Sequence, residues 1–296
     1  MDLFALFSDI SAVVAPVFII AGLGFAWKHA KLPYDSAFIT TFAVNVSTPC
    51  LVFSSLSKLT LAGDALWTMA LASVGCIALA AAVATPLLLA FRLPLRVYLP
   101  ALSFPNAGNL GLPVCLFAFG EAGLGLAVLF FAVFAVAQFT LGPAIAAGQV
   151  DIRKILGTPV IHAAALALLV LLTGFRPPQW VTNTTSLMGA CAVPLMLFSL
   201  GVALASLRMR HAGRALALSV LRLALGLGAG VLVSWAMGLE GAMRGVVILQ
   251  SAMPVAVFNY LWALRFGNAP EEVAGMILGS TALAFLGLPL LLALLL

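Results

Sequence analysis

The sequence predicts an all-α integral membrane protein: ten transmembrane helices arranged as two inverted five-helix repeats, with broken helices crossing at the fourth and ninth spans. Three observations carry this. The 296 residues are 64% hydrophobic and 8% charged, with a mean hydropathy of +1.21, against roughly 45–50% apolar and about 25% charged residues in soluble domains. Cutting at charged and Pro/Gly-rich breaks leaves ten apolar segments near the ~20 residues that a crossing needs. Two of these, in corresponding places of the two halves, are interrupted by proline and asparagine, as FPNAGNLGLP at 104–113 and MPVAVFNY at 253–260.

Span 1 covers about 10–27. Asp2 and Asp9 precede it instead of a basic region, and it ends at Trp27-Lys28-His29 without a small-residue cleavage site. It reads as a span, not a signal peptide. Span 2, 36–57, carries Asn45, Ser47 and Thr48 ahead of Pro49. These polar groups either satisfy carbonyls freed by the proline or face a substrate. Span 3 is 65–91. Span 4, 97–119, breaks near Pro105 and can restart near Leu112, with Pro113 in the favoured first turn. Span 5, 122–147, carries Gln138 and Thr140, candidates to line a cavity. Span 6, 157–174, has His162 near its start, which reads as interfacial. Span 7 is 179–206. Span 8, 213–237, contains Arg222, which either binds an anion or, the favoured reading, snorkels to the cytoplasmic face. Span 9, 242–266, breaks at Met253-Pro254, just after Gln250 and Ser251, two further candidates for a cavity lining. Span 10 is 271–295.

Lysine and arginine set the orientation. Ten of the fourteen lie in the odd-numbered loops, three in the even-numbered loops, and the last is Arg222. Cytoplasmic loops are enriched in these residues, so both termini are expected outside. The net charge of +5 is this bias. No clustered basic face points to nucleic acid. Trp27, Trp67, Trp180, Trp235 and Trp262 fall mostly near span ends and read as anchors against membrane lipid.

An internal repeat follows from four matched positions. Pro49 pairs with Pro194, Pro105 with Pro254, Phe119-Gly120 with Phe266-Gly267, and Pro143 with Pro289, at offsets of 145 to 149. The halves are 1–149 and 150–296. Five spans each is an odd number, so the halves have opposite orientation, as in several secondary-transporter folds.

At the crossing, proline removes a backbone donor and stops the helix. Irregular backbone at membrane depth is tolerated where it lines a protein-enclosed cavity. Two half-helix N-termini meeting near the midplane would each offer free N–H groups and about half a positive charge, an anion site without a basic side chain. Asn106, Asn109 and Asn259 add amide donors for a carboxylate. Their carbonyl oxygens serve a cation equally well. The nine acidic residues lie near span ends or in loops. No carboxylate lies clearly at the midplane, which argues against a sodium–proton exchanger. Cys50, Cys76, Cys115 and Cys191 have unrelated spacings in apolar segments and read as small buried residues, with no metal spacing. No HExxH, GxSxG or pair of intramembrane carboxylates suggests an enzyme. No cofactor is implied.

The residues that carry a resemblance are SFPNAGNLGLP at 103–113, followed by Phe119-Gly120; PCLVFSSLSKL at 49–59; Phe139-Thr140-Leu141-Gly142; Met253-Pro254 with Asn259; and Ser280-Thr281 with Leu288-Pro289. On these the chain resembles the auxin efflux carrier family, including its bacterial malonate and malate carriers, over nearly its whole length. The resemblance implies a scaffold of spans 1, 2, 6 and 7 that forms a homodimer. It also implies a moving transport domain of spans 3–5 and 8–10, and elevator-type transport of a small organic anion. It places Pro105, Asn106 and Pro254 at the crossing, with Asn109 and Asn259 beside it. The expected function is a carboxylate carrier of a bacterial inner membrane, with malonate or a related dicarboxylate favoured. The alternatives are a sodium-coupled carboxylate symporter and a membrane sensor that binds a ligand without moving it. The related bile-acid symporters hold sodium with an acidic residue near span 9, and none lies between Arg244 and Arg265.

Overall fold

The computed structural model describes residues 3–57, 63–148, 157, 159–206 and 212–295. Helix occurs in each of the ten segments expected from the sequence. The helices are α1 (Leu3–His29), α2 (Ser36–Phe42), α3 (Thr48–Leu56), α4 (Gly63–Ala90), α5 (Leu95–Ser103), α6 (Leu112–Ala147), α7 (Pro159–Thr173), α8 (Gln179–Ala190), α9 (Ala192–Ser206), α10 (Ala212–Ala236), α11 (Gly241–Ala252), α12 (Phe258–Phe266) and α13 (Pro270–Leu295). Among the described residues five helical stretches are long and apolar enough to cross a membrane: Ala65–Ala90, Ala107–Ala147, Gln179–Ser206, Gly213–Ala236 and Pro270–Leu295. Alanine and leucine dominate these runs and favour helix. In lipid, a helix satisfies its own backbone.

Proline and glycine set the interruptions. Between α2 and α3 the chain makes a wide π-helical turn, Ala43–Ser47, in which the Thr48 N–H bonds the Ala43 carbonyl five residues back. A second such turn, Ala107–Gly111, precedes α6, with the Leu112 N–H on the Ala107 carbonyl. Each turn ends two residues before a proline, Pro49 or Pro113. Proline has no N–H for the carbonyl four residues back, and its ring crowds that carbonyl. The wide turn relieves the conflict. Within α6 the direction breaks at Gly120, with φ 65° and ψ −160°, a conformation open essentially to glycine. Gly267, its partner in the sequence repeat, closes α12 with φ 66°.

Two groups of helices pack internally. In the first, α1 lies on α9, and α3 lies on α7 and α8. Glycine allows the first of these contacts, because a Cβ at Gly24 would overlap the Phe198 carbonyl and one at Gly201 the Ala21 carbonyl. In the second group, α10 packs on α4, α11 and α13, while α4 and α11 both pack on α6. Tyr98 Oη donates to Glu272, and Glu272 pairs with Arg214 at 3.0 Å, tying α5, α10 and α13 together. The two groups meet where α6 lies against α1 and α3.

Two expectations are corrected. Trp262 is buried and stands edge-on to Phe104 at 6.4 Å, packed over Gly142, where any Cβ would overlap its ring. It is part of the core, whereas Trp27, Trp67, Trp180 and Trp235 are exposed as anchors would be. Cys191 is exposed while Cys76 and Cys115 are buried; all four cysteines are free.

Candidate functional site

The two broken helices cross through backbone. Phe104 precedes Pro105 and is extended, with φ −108° and ψ 99°. Met253 precedes Pro254 and is extended as well, with φ −61° and ψ 150°. A residue before proline is driven from helix to extended geometry, so each Pro creates a short extended piece. Pro105 and Val255 then face each other as an antiparallel bridge. The Asn106 N–H donates to the Pro254 carbonyl at 2.7 Å, and the Ala256 N–H to the Phe104 carbonyl at 3.3 Å. The remaining donor, Val255 N–H, finds Ser280 Oγ at 3.0 Å. Asn259 Nδ2 adds a second bond to the Phe104 carbonyl at 3.2 Å.

A cavity of about 80 Å³ opens on one side of this bridge. Its lining includes Pro105, Asn106, Gly108 and Asn109 from the first restart and Ala256 and Phe258 from the second. Both half-helix starts therefore reach it. N–H groups in the first turn of a helix have no acceptor one turn back and carry partial positive charge. Asn106 has its backbone fully engaged: its N–H is on Pro254, and its carbonyl accepts from Leu110 and Gly111 at 3.3 and 3.0 Å. Its side-chain Nδ2 is buried without a partner, as is Gln138 Nε2, and both residues line the cavity. Phe131 closes against Gly108, where a Cβ would sit 3.0 Å from its ring. The lining, among the described residues, contains no charged side chain. Such a site offers amide and backbone donors in an apolar frame, suited to a carboxylate.

The structure sorts the sequence candidates into three sets. Asn106, Asn109, Pro105, Gln138 and Thr48 line the cavity. Pro254, Asn259, Gln250, Ser251 and Pro113 are buried but serve the crossing from elsewhere. Pro254 accepts the bridge bond, and Asn259 holds Phe104. Gln250 Nε2 reaches the Ala127 carbonyl at 3.5 Å, while its other side meets Gly111, where a Cβ would overlap Gln250 Oε1. Ser251 turns to a different, smaller cavity. Pro113 occupies the first turn of α6. Asn45 is exposed and lies apart from the cavity lining. Thr140 bonds the Ala137 carbonyl at 3.2 Å, a local backbone tie.

Two residues were missed by sequence reasoning. Ser199 lines the cavity, with its hydroxyl 2.8 Å from Tyr34 Oη; nothing in its local sequence marks it. Arg222 does not snorkel. It is 1% exposed, and its guanidinium donates to Leu102 O at 2.6 Å, Ser251 O at 2.6 Å and Met253 O at 3.3 Å. Those carbonyls close the first halves of both broken helices. The available signal was its spacing from Gly226 and Gly230, one and two turns along the same face. A Cβ at Gly226 would overlap the Ser251 carbonyl, and one at Gly230 would sit 2.9 Å from Ile248 Cα. The glycines let α10 lie against α11 and bring Arg222 to the crossing.

A helical chain with broken helices crossing beside a cavity that holds a few amide groups in an apolar frame has the build of a membrane transporter. Sequence comparison agrees: the chain belongs to the membrane transport protein family, which includes the auxin efflux carriers, and the family profile matches residues 9–149 and 143–292. It is also 25% identical, over 96% of its own length and 98% of the other's, to an uncharacterized transporter of the archaeon Methanothermobacter thermautotrophicus.

Proposed function

We propose that this chain is a secondary carrier of small carboxylates, with malonate or a related dicarboxylate preferred, and that the substrate binds at the crossing. The observation that carries the reading is the cavity itself. Both half-helix starts line it together with two buried amide groups, Asn106 Nδ2 and Gln138 Nε2, that have no partner. A buried polar group without a partner is costly, and a carboxylate oxygen accepting from these donors removes the cost. Hydrogen bonds to a charged acceptor are about twice as strong as neutral ones. The dicarboxylate preference comes from the family resemblance.

An elevator mechanism fits the packing. The cavity lining includes one set, Thr48, Val160, Met196 and Ser199, and a second, Asn106, Asn109, Phe131 and Gln138. The first set comes from helices of the expected scaffold and the second from those of the expected transport domain. A substrate held mainly by the second set travels with it when the two groups slide. Ten crossings, two inverted halves, both termini outside and a homodimer built on the scaffold complete the proposal. The paired left-handed glycines, Gly120 and Gly267, support the repeat.

The test is electrical recording from purified protein on a solid-supported membrane with malonate, malate, succinate and indole acetate, with and without sodium. A sodium-independent, substrate-evoked current that Asn106→Ala removes is the expected result. A strictly sodium-dependent current favours the symporter. Saturable binding without current or counterflow under any condition favours the sensor.

A further inference from the structure

The crossing has a second side. Half-helix C-termini and unwound carbonyls, with their partial negative charge, are the groups that hold coupling cations in broken-helix transporters. Here the carbonyls of Leu102, Ser251 and Met253 converge from both broken helices, and all three accept from Arg222. Among the described residues no carboxylate accepts from this guanidinium. Arg222 Nε is buried and unpaired, as is the hydroxyl of Ser103. Arg222, Ser103 and Ser251 line a narrow cavity of about 10 Å³ together with Cys76. Pro105 lines both this cavity and the larger one, so the proline bridge is the wall between a charged compartment and the neutral amide-lined one.

We propose that Arg222 is a tethered counterpart of a coupling cation. It fills the carbonyl cluster that an inorganic ion would fill, so the crossing assembles, and attracts its anion, without sodium. This rests on the carboxylate-carrier reading of the same site. A guanidinium remains charged throughout the physiological pH range. Its charge, held in a low-dielectric interior, acts across the Pro105 wall on an anion in the larger cavity. Arg222 does not touch the substrate. It is a positioning residue that fixes both half-helix ends and supplies a permanent positive charge that moves with them.

The experiment measures thermal unfolding of the purified full-length protein by tryptophan fluorescence, for the wild type, Arg222→Lys and Arg222→Met. Choline chloride is exchanged for sodium, lithium or methylguanidinium chloride at constant ionic strength, each with and without malonate. The wild type is expected to unfold at the same temperature in choline and in sodium. Arg222→Met is expected to unfold about 5–10 °C lower in choline and to be restored, saturably at millimolar concentration, by methylguanidinium. An Arg222→Met protein as stable as the wild type and indifferent to all cations overturns the proposal. So does saturable sodium stabilisation of the wild type. Should Arg222→Met fail to fold, Arg222→Lys decides: it keeps the charge and is expected to ignore sodium, and stabilisation by sodium overturns the proposal. The malonate arm tests the carrier reading separately. Methylguanidinium rescue with no malonate effect in any variant removes malonate as the substrate and leaves the cation assignment standing.

Discussion

The two breaks in the crossing share a backbone plan and differ in what their side chains do. Each has a proline, an extended residue before it and one backbone N–H that donates to the other break. After the first, the chain restarts through the wide turn Ala107–Gly111 and leaves Asn106 Nδ2 unpaired at the cavity. After the second, it restarts through a tight turn, with the Asn259 N–H on the Ala256 carbonyl at 3.0 Å, and Asn259 Nδ2 donates to the Phe104 carbonyl while its Oδ1 is buried without a partner. Val255 is committed to Ser280. On the proposed carrier reading, duplicated geometry carries divided labour: the first break recognises, and the second clamps.

The strongest way to break this contrast is Asn106→Asp. A carboxylate placed about 4 Å from a bound anion costs about 4 kcal/mol at an effective dielectric near 20, so affinity for malonate is expected to fall about a thousandfold. Titration calorimetry on the folded variant checks it, and wild-type affinity in this variant would remove Asn106 from the site. Next is Gly111→Val. Its side chain enters the space of Gln250 Oε1 and Met253, and overpacking of this kind costs about 1–3 kcal/mol. A lowered unfolding midpoint is expected, and an unchanged one would mean that the contact yields freely.

Ser280→Ala tests the clamp. It strands the buried Val255 N–H, for a loss of about 1–3 kcal/mol, read as faster amide exchange at Val255 and Ala256 together with a lower midpoint. The smallest effect belongs to Asn259→Ala. Phe104 O keeps its bond from Ala256, so stability is expected to drop about 1 kcal/mol, while malonate affinity stays within about twofold. A loss of affinity as large as that of Asn106→Ala would show that both breaks recognise the substrate.

Much of this was legible in the residues. The span positions follow from hydropathy, and both breaks follow from Pro105 and Pro254, because a missing N–H is a local property. Asn106 and Asn109 were legible as cavity residues because asparagine within an apolar run needs a partner. Asn259 carries the same signal and serves a different end: its amide meets a carbonyl 155 residues away, which no local pattern encodes.

Arg222 and Trp262 mark the boundary between the two kinds of information. By itself the sequence determined the helical membrane class, the two prolines that end helices and the glycines that accept left-handed geometry, since these depend on covalent structure and near neighbours. Only the tertiary structure decided which side of the crossing each polar group faces, and that a charged side chain near a span end lies buried. Leu102 O is 120 residues from Arg222, and burying a charge is tolerable only once acceptors from distant helices have converged on it.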